Sequence, residues 1–231
     1  MAEELGKIEK PDADRFISQR KLFLVPLLFS GKEAPAEYQE MFNRYWEQVS
    51  EHVSNLESKI GKVKHIYHES ITSTSEEEVK VIERLNPSCH RIVTDKTRDG
   101  ALIEATEDKE LTEECLDWQR SLIMGFISHK VANIISEFYL EASKKRYEFI
   151  ARQIDQTLKE NEAGILFIQE GHRVQFAPDI EVFSVAPPVL DEIYRWQRES
   201  AEKGQEEEPK DQEAEEQEPG EQKEEPSDDS Q

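Results

Sequence analysis

Apolar residues recur along this chain with two different periods. From Tyr38 to Ile60 they fall at Tyr38, Met41, Phe42, Tyr45, Val49, Val53, Leu56 and Ile60, steps of three and four that trace one face of a helix. Gly61 suits the C-cap of that helix. Two runs of another kind flank it, KLFLVPLLF at 21–29 and KVKHIYHESI at 62–71; their length and apolar density predict strands. Pro26 inside the first predicts a bulge or an edge position. Strand, long helix, strand is a crossover unit, which joins parallel strands.

The pattern continues to Ser200. Three overlapping boxes, Ser73–Glu76, Thr74–Glu77 and Ser75–Glu78, announce a helix over 76–86, ended by Asn86-Pro87. HRIVTD (90–95) and ALIEA (101–105) predict two short strands around the Arg98-Asp99-Gly100 turn. Leu111, Cys115, Trp118 and Leu122 share one face of a helix over 107–126. After a break at Gly125–Ser128 a second helix spans 129–160. GILFIQEGHRVQF (164–176) sets two alternating runs around Glu170-Gly171, the pattern of a tight hairpin with Gly at positive φ. IEVFSV (180–185) reads as a strand, and Pro187-Pro188 opens a last helix over 188–199. The fold class expected is α/β: a mixed sheet of five to seven strands covered by long amphipathic helices.

Charge then divides the chain. Of its 231 residues 51 are acidic and 29 are Lys or Arg, a net of −22. Residues 201–231 hold 14 of the acids and only three lysines, and their sole aliphatic residues are Ala201 and Ala214. That stretch buries nothing to offset the entropy of ordering, so a disordered acidic tail is expected there. Residues 1–20 read as a flexible lead-in, and 21–200 as a single α/β domain, with a subdivision near 127 left open. The start, MAEELGKIEKPDADR, is charged and has no apolar signal-type core. The longest apolar run, 22–29, is too short to span a bilayer. Two cysteines make no disulfide framework. A cytoplasmic protein with no membrane contact is therefore expected. The negative charge also disfavours DNA and RNA backbones.

Strong catalytic motifs are missing from the text of the chain. No GxGxxG, GxxxxGK[ST] or GxSxG occurs, and Ser30-Gly31-Lys32 is read as a turn. His65 and His68 stand three apart on a strand, which sends their rings to opposite faces, so no metal is expected there. Cys115 belongs to an apolar stripe, while Cys89, beside His90, is expected nearer the surface. No cofactor is implied. Two polar groupings remain as candidate binding residues. One is the hairpin tip, where Glu170, His172 and Arg173 put an acid, an imidazole and a guanidinium together. The other is the basic stretch of the long helix around Lys144 and Lys145, represented by Arg146 and Arg152; its plainer reading is a solvated face balanced by Glu141 and Glu148.

Over residues 146–185, RYEFIARQIDQTLKENEAGILFIQEGHRVQFAPDIEVFSV, the order of long helix, GILFI, EGH, strand and proline resembles the last domain of archaeal and eukaryotic peptide-release factors, Pelota and their bacterial relatives. The resemblance implies a place near the ribosome or RNA. No Gly-Gly-Gln occurs anywhere, so it does not imply peptidyl-tRNA hydrolysis and carries over no site residue. The expectation from the residues themselves is a non-enzymatic interaction or regulatory protein with a protein partner. A ribosome-associated factor and a hydrolase-like enzyme using the 170–173 tip are the alternatives.

Overall fold

A computed structural model describes residues 19–31 and 33–206. Five strands, β1 (Arg20–Pro26), β2 (Val63–His68), β3 (Leu102–Ile103), β4 (Ala163–Ile168) and β5 (Ile180–Ser184), alternate with six helices: α1 (Ala36–Ile60), α2 (Glu76–Leu85), α3 (Pro87–Arg98), α4 (Lys109–Ile123), α5 (His129–Thr157) and α6 (Val189–Glu206). The sheet order is β3-β2-β4-β1-β5. The α/β class and the strand number agree with the sequence pattern, but every pairing is parallel, where a mixed sheet was expected.

The missing hairpin explains the difference. β4 lies between β2 and β1, so both of its edges are taken and the segment after Gly171 has no slot beside it. Gly171 does take a positive φ of 82°. The chain then turns away, and Val174 and Phe176 pack on the core without forming a strand. β1 carries a second correction. It is flanked on both sides, and Pro26 is its last residue, opposite Ile168, where a missing N–H interrupts no ladder.

Side-chain alternation gives the sheet two covered faces, as a parallel sheet requires. On one, Leu22, Tyr67, Leu166 and Ile168 pack against Ile150, Ile154 and Leu158 from the end of α5. On the other, Trp46 of α1 lies 6.2 Å from Phe167, and the Tyr45 hydroxyl donates to the Pro26 carbonyl at 2.5 Å. His65 lies beside Tyr67 and His68 beside Phe167, the opposite faces that their spacing dictates.

HRIVTD is helical. The Asn86 side chain accepts from Cys89 N–H at 3.0 Å and Pro87 takes the first turn, so α3 starts where α2 stops. Its buried residues, Ser88, Cys89, Ile92 and Val93, follow a helical period. Cys89 is consequently fully buried rather than superficial, and burial pushes its thiol pKa up. Of the three capping boxes the one used is Ser75, which accepts from Glu78 N–H at 3.3 Å.

The chain forms two compact units, the first ending at Ile193 and the second beginning at Tyr194. Val189, Leu190 and Ile193 are buried in the first. α6 continues to Glu206, six residues into the stretch expected to be a tail; the rest of that stretch, 207–231, and the expected lead-in, 1–18, lie outside the described residues.

Candidate functional site

In an open parallel sheet, ligands bind beyond the carboxyl ends of two neighbouring strands whose outgoing connections diverge. Here those strands are β2, which leads outward to β3, and β4, which leads across β1 to β5. Glu69 follows β2 and Gln169 follows β4. Gln169 N–H donates to Glu69 Oε2 at 3.1 Å, and Glu69 N–H donates to the Phe167 carbonyl at 3.1 Å. The two strand ends are thus tied through one carboxylate.

The crevice is filled by the chain itself. Arg146 of α5 reaches over the strand ends, with a guanidinium nitrogen 3.7 Å from Glu69 Oε2. Its Nε donates to Glu107 Oε2 at 2.7 Å, and its terminal nitrogen contacts Glu107 Oε1. Glu107 is itself buried and also accepts from the Thr112 hydroxyl at 3.0 Å. Burial pushes the Glu69 carboxyl up to about 7, against the N–H of Gln169 and the charge of Arg146, while Glu107 adds to the rise. A cation held between two carboxylates has little left for an incoming anion. The chemistry of this cluster is that of a clamp binding α5 to the sheet edge.

The other sequence-derived candidates do not converge on it. Arg146 is buried in the clamp, whereas Arg152 is exposed and lies over the Phe149 ring, 5.2 Å from its centroid. Glu170 is exposed. The His172 ring is half-buried, which lowers its pKa, and its Nδ1 accepts from Val174 N–H at 3.3 Å; Phe176 meets it edge-on. No carboxylate is hydrogen-bonded to His172 among the described residues. Arg173, with Gly171 and Gln175, forms one wall of a groove of about 700 Å³ whose other wall is α5, including Tyr139, Lys144 and Tyr147. Lys145 is paired with Glu141 at 2.8 Å and Lys144 lies 3.8 Å from Glu148, so that face of α5 is largely balanced.

A different feature was not singled out in the sequence. α4 and the first half of α5 pack on each other as an arm. Cys115 Sγ meets Ser143 Oγ at 3.4 Å, and Trp118 stacks on Phe138 with centroids 5.1 Å apart. From Leu116 to Glu141 no residue is buried. At 1.5 Å per residue the 29 residues of α5 extend about 43 Å, and only its last turns cover the sheet. The free end is apolar: Ile123, Met124 and Ile127 are 77%, 80% and 106% exposed. Val131, Ile134 and Phe138 continue that surface as a stripe at steps of three and four, each 40–45% exposed. The signal was present in the sequence, since 122–127 (LIMGFI) places five large apolar residues where a turn between helices is ordinarily polar.

Fold and site together define a parallel α/β protein whose switch-point crevice is closed by its own arginine and whose α4–α5 arm is exposed. No family model, curated protein or solved structure matches this chain.

Proposed function

We propose that the protein acts by binding another protein through the α4–α5 arm. The observation that carries this reading is the apolar arm end, Ile123, Met124 and Ile127, held in full contact with solvent by a packed helical pair. Exposed apolar surface gathered in one place costs solubility unless something covers it, and a contiguous patch of this kind marks an interaction site. Among the described residues no helix is long and apolar enough to cross a membrane, and we read the patch as a docking surface for protein. The groove beside Arg173 sits at the base of the same α5 helix and extends the surface available to a partner. Two free, buried thiols, Cys89 and Cys115, fit the reducing cytoplasm as the place where this happens.

The test is a photo-crosslinking residue placed at Ile127, compared with one at Glu83 of α2, which is also exposed, in cell lysate containing the full-length protein. A discrete adduct formed from position 127 and not from position 83 is expected. Equal labelling from both positions, or none from 127, would show that the arm end has no partner.

A further inference from the structure

The arm carries a charge pattern that fits a second copy of itself. Residues 118–133, its free end, contain Arg120 and Lys130 and no acid. Residues 134–141 contain Glu137 and Glu141 and no base, and residues 109–117 of α4 set Lys109 against Glu110, Glu113, Glu114 and Asp117. The arm is therefore positive at its end and negative at its middle. Taken from 109 to 145 its net charge is −1, although the whole chain carries −22. A strongly acidic protein thus has one near-neutral apolar element.

Building on the reading of the arm as a protein-binding surface, we infer that its occupant is the arm of a second copy, packed antiparallel across a two-fold axis near Ile134 to form a four-helix bundle. Each of the two helices already uses one apolar seam, Cys115 against Ser143 and Trp118 against Phe138. Val131 and Ile134 remain outside that seam, and Phe138, with one face on Trp118, is still 45% exposed beside them; a bundle core needs both seams covered. The symmetry axis sets Val131 against Phe138 of the second copy and Ile134 near its own mate. It also carries Lys130 onto Glu137 of the second copy, while Glu141 stays with Lys145 of its own helix, and the Lys130–Glu137 contact occurs twice because the interface is isologous. A parallel arrangement would place the two positive ends together.

The experiment is sedimentation equilibrium of the full-length chain between micromolar and hundred-micromolar concentration, with four proteins. The natural chain should dimerise. Lys130→Glu and Glu137→Lys each replace attraction by repulsion at two symmetric positions, and each should weaken dimerisation by about tenfold or more. The double variant Lys130→Glu/Glu137→Lys restores opposite charges and should return to within about threefold of the natural chain. Because positions 130 and 137 are exposed, circular dichroism should be the same for all four. A chain that stays monomeric throughout, or a double variant weaker than either single one, overturns the inference. Adducts from position 127 distinguish the two claims: an adduct with a different protein and a monomeric chain leaves the arm a docking surface but not for itself, whereas no adduct removes both.

Discussion

Single side chains decide more of this molecule than their size suggests. Gly164 sits on β4 where a Cβ would stand 2.9 Å from Tyr67 Cε2, with Leu22 and Leu158 at 3.4 and 3.5 Å. The Tyr67 ring cannot step aside, because it is fully buried and its hydroxyl is bonded to Thr157 at 2.7 Å. Gly164→Ala should therefore destabilise by about 1–3 kcal/mol, read as a lower denaturant midpoint. The neighbours His68 and Glu69 make a second residue-scale prediction. His68 is buried against Phe167, its Nδ1 accepts from Ser70 N–H and its Nε2 has no partner, and burial drives its pKa down to about 3. The unfolded chain takes up a proton near 6.5 that the folded one refuses, so His68 makes stability rise with pH between about 3 and 6.5. Glu69, facing Arg146, Glu107 and the Gln169 N–H, does the reverse. Its folded carboxyl keeps a proton up to about 7, so stability falls between about 4.5 and 7, by about 3 kcal/mol in all. The two slopes offset each other over their shared window and leave the natural chain nearly flat there. Chemical denaturation across pH 4–8 should expose the falling limb in His68→Asn and the rising limb in Glu69→Gln. A Glu69→Gln profile as flat as the natural one would remove this account.

Elements show where sequence patterns are sufficient and where they are not. α1 and β2 were legible because each buries one face against one neighbour, and a period records that directly. α3 was misread as a strand because HRIVTD is short, and six residues hold too few turns to separate a helical from an alternating pattern. What decides it is Asn86, whose side chain caps Cys89 N–H and donates to the Leu28 carbonyl at 2.8 Å. Asn86→Ala should cost about 1–2 kcal/mol, through the lost cap and a half-buried carbonyl left unpaired, and thermal melting measures it. The supposed hairpin at 164–176 failed for a non-local reason: strand order excludes it, and order is fixed by contacts such as Leu22 with Gly164, 142 positions apart. The clamp was invisible for the same reason. Arg146 was noted for its neighbours in sequence, but its partners, Glu69 and Glu107, come from other elements. The arm is the opposite case, since its apolar turn is local and readable but acquires meaning only when the fold leaves it uncovered.

At the scale of the whole molecule, charge opposes the association that the arm favours. Two chains of −22 repel each other over about 30 Å in 0.01 M salt and over about 8 Å in 0.15 M salt. The two contacts of Lys130 with Glu137 weaken with salt as well, but they are few and short-ranged. Long-range repulsion involves every charge of both bodies, so it dominates the salt response. Dimerisation should accordingly tighten as salt rises from 0.01 to 0.15 M, the opposite of an interface held mainly by ion pairs. Residues 207–231 contribute 12 acids and two lysines, nearly half of the net charge, and no aliphatic side chain besides Ala214. Removing them lowers the repulsion without removing apolar burial. The shortened chain should therefore dimerise more tightly in low salt, respond less to added salt and melt at the same temperature as the full chain. Sedimentation at the two salt concentrations measures the first two effects and calorimetry the third. A dimer that loosens with salt in both chains would place its energy in charge pairs rather than in the apolar stripe of the arm.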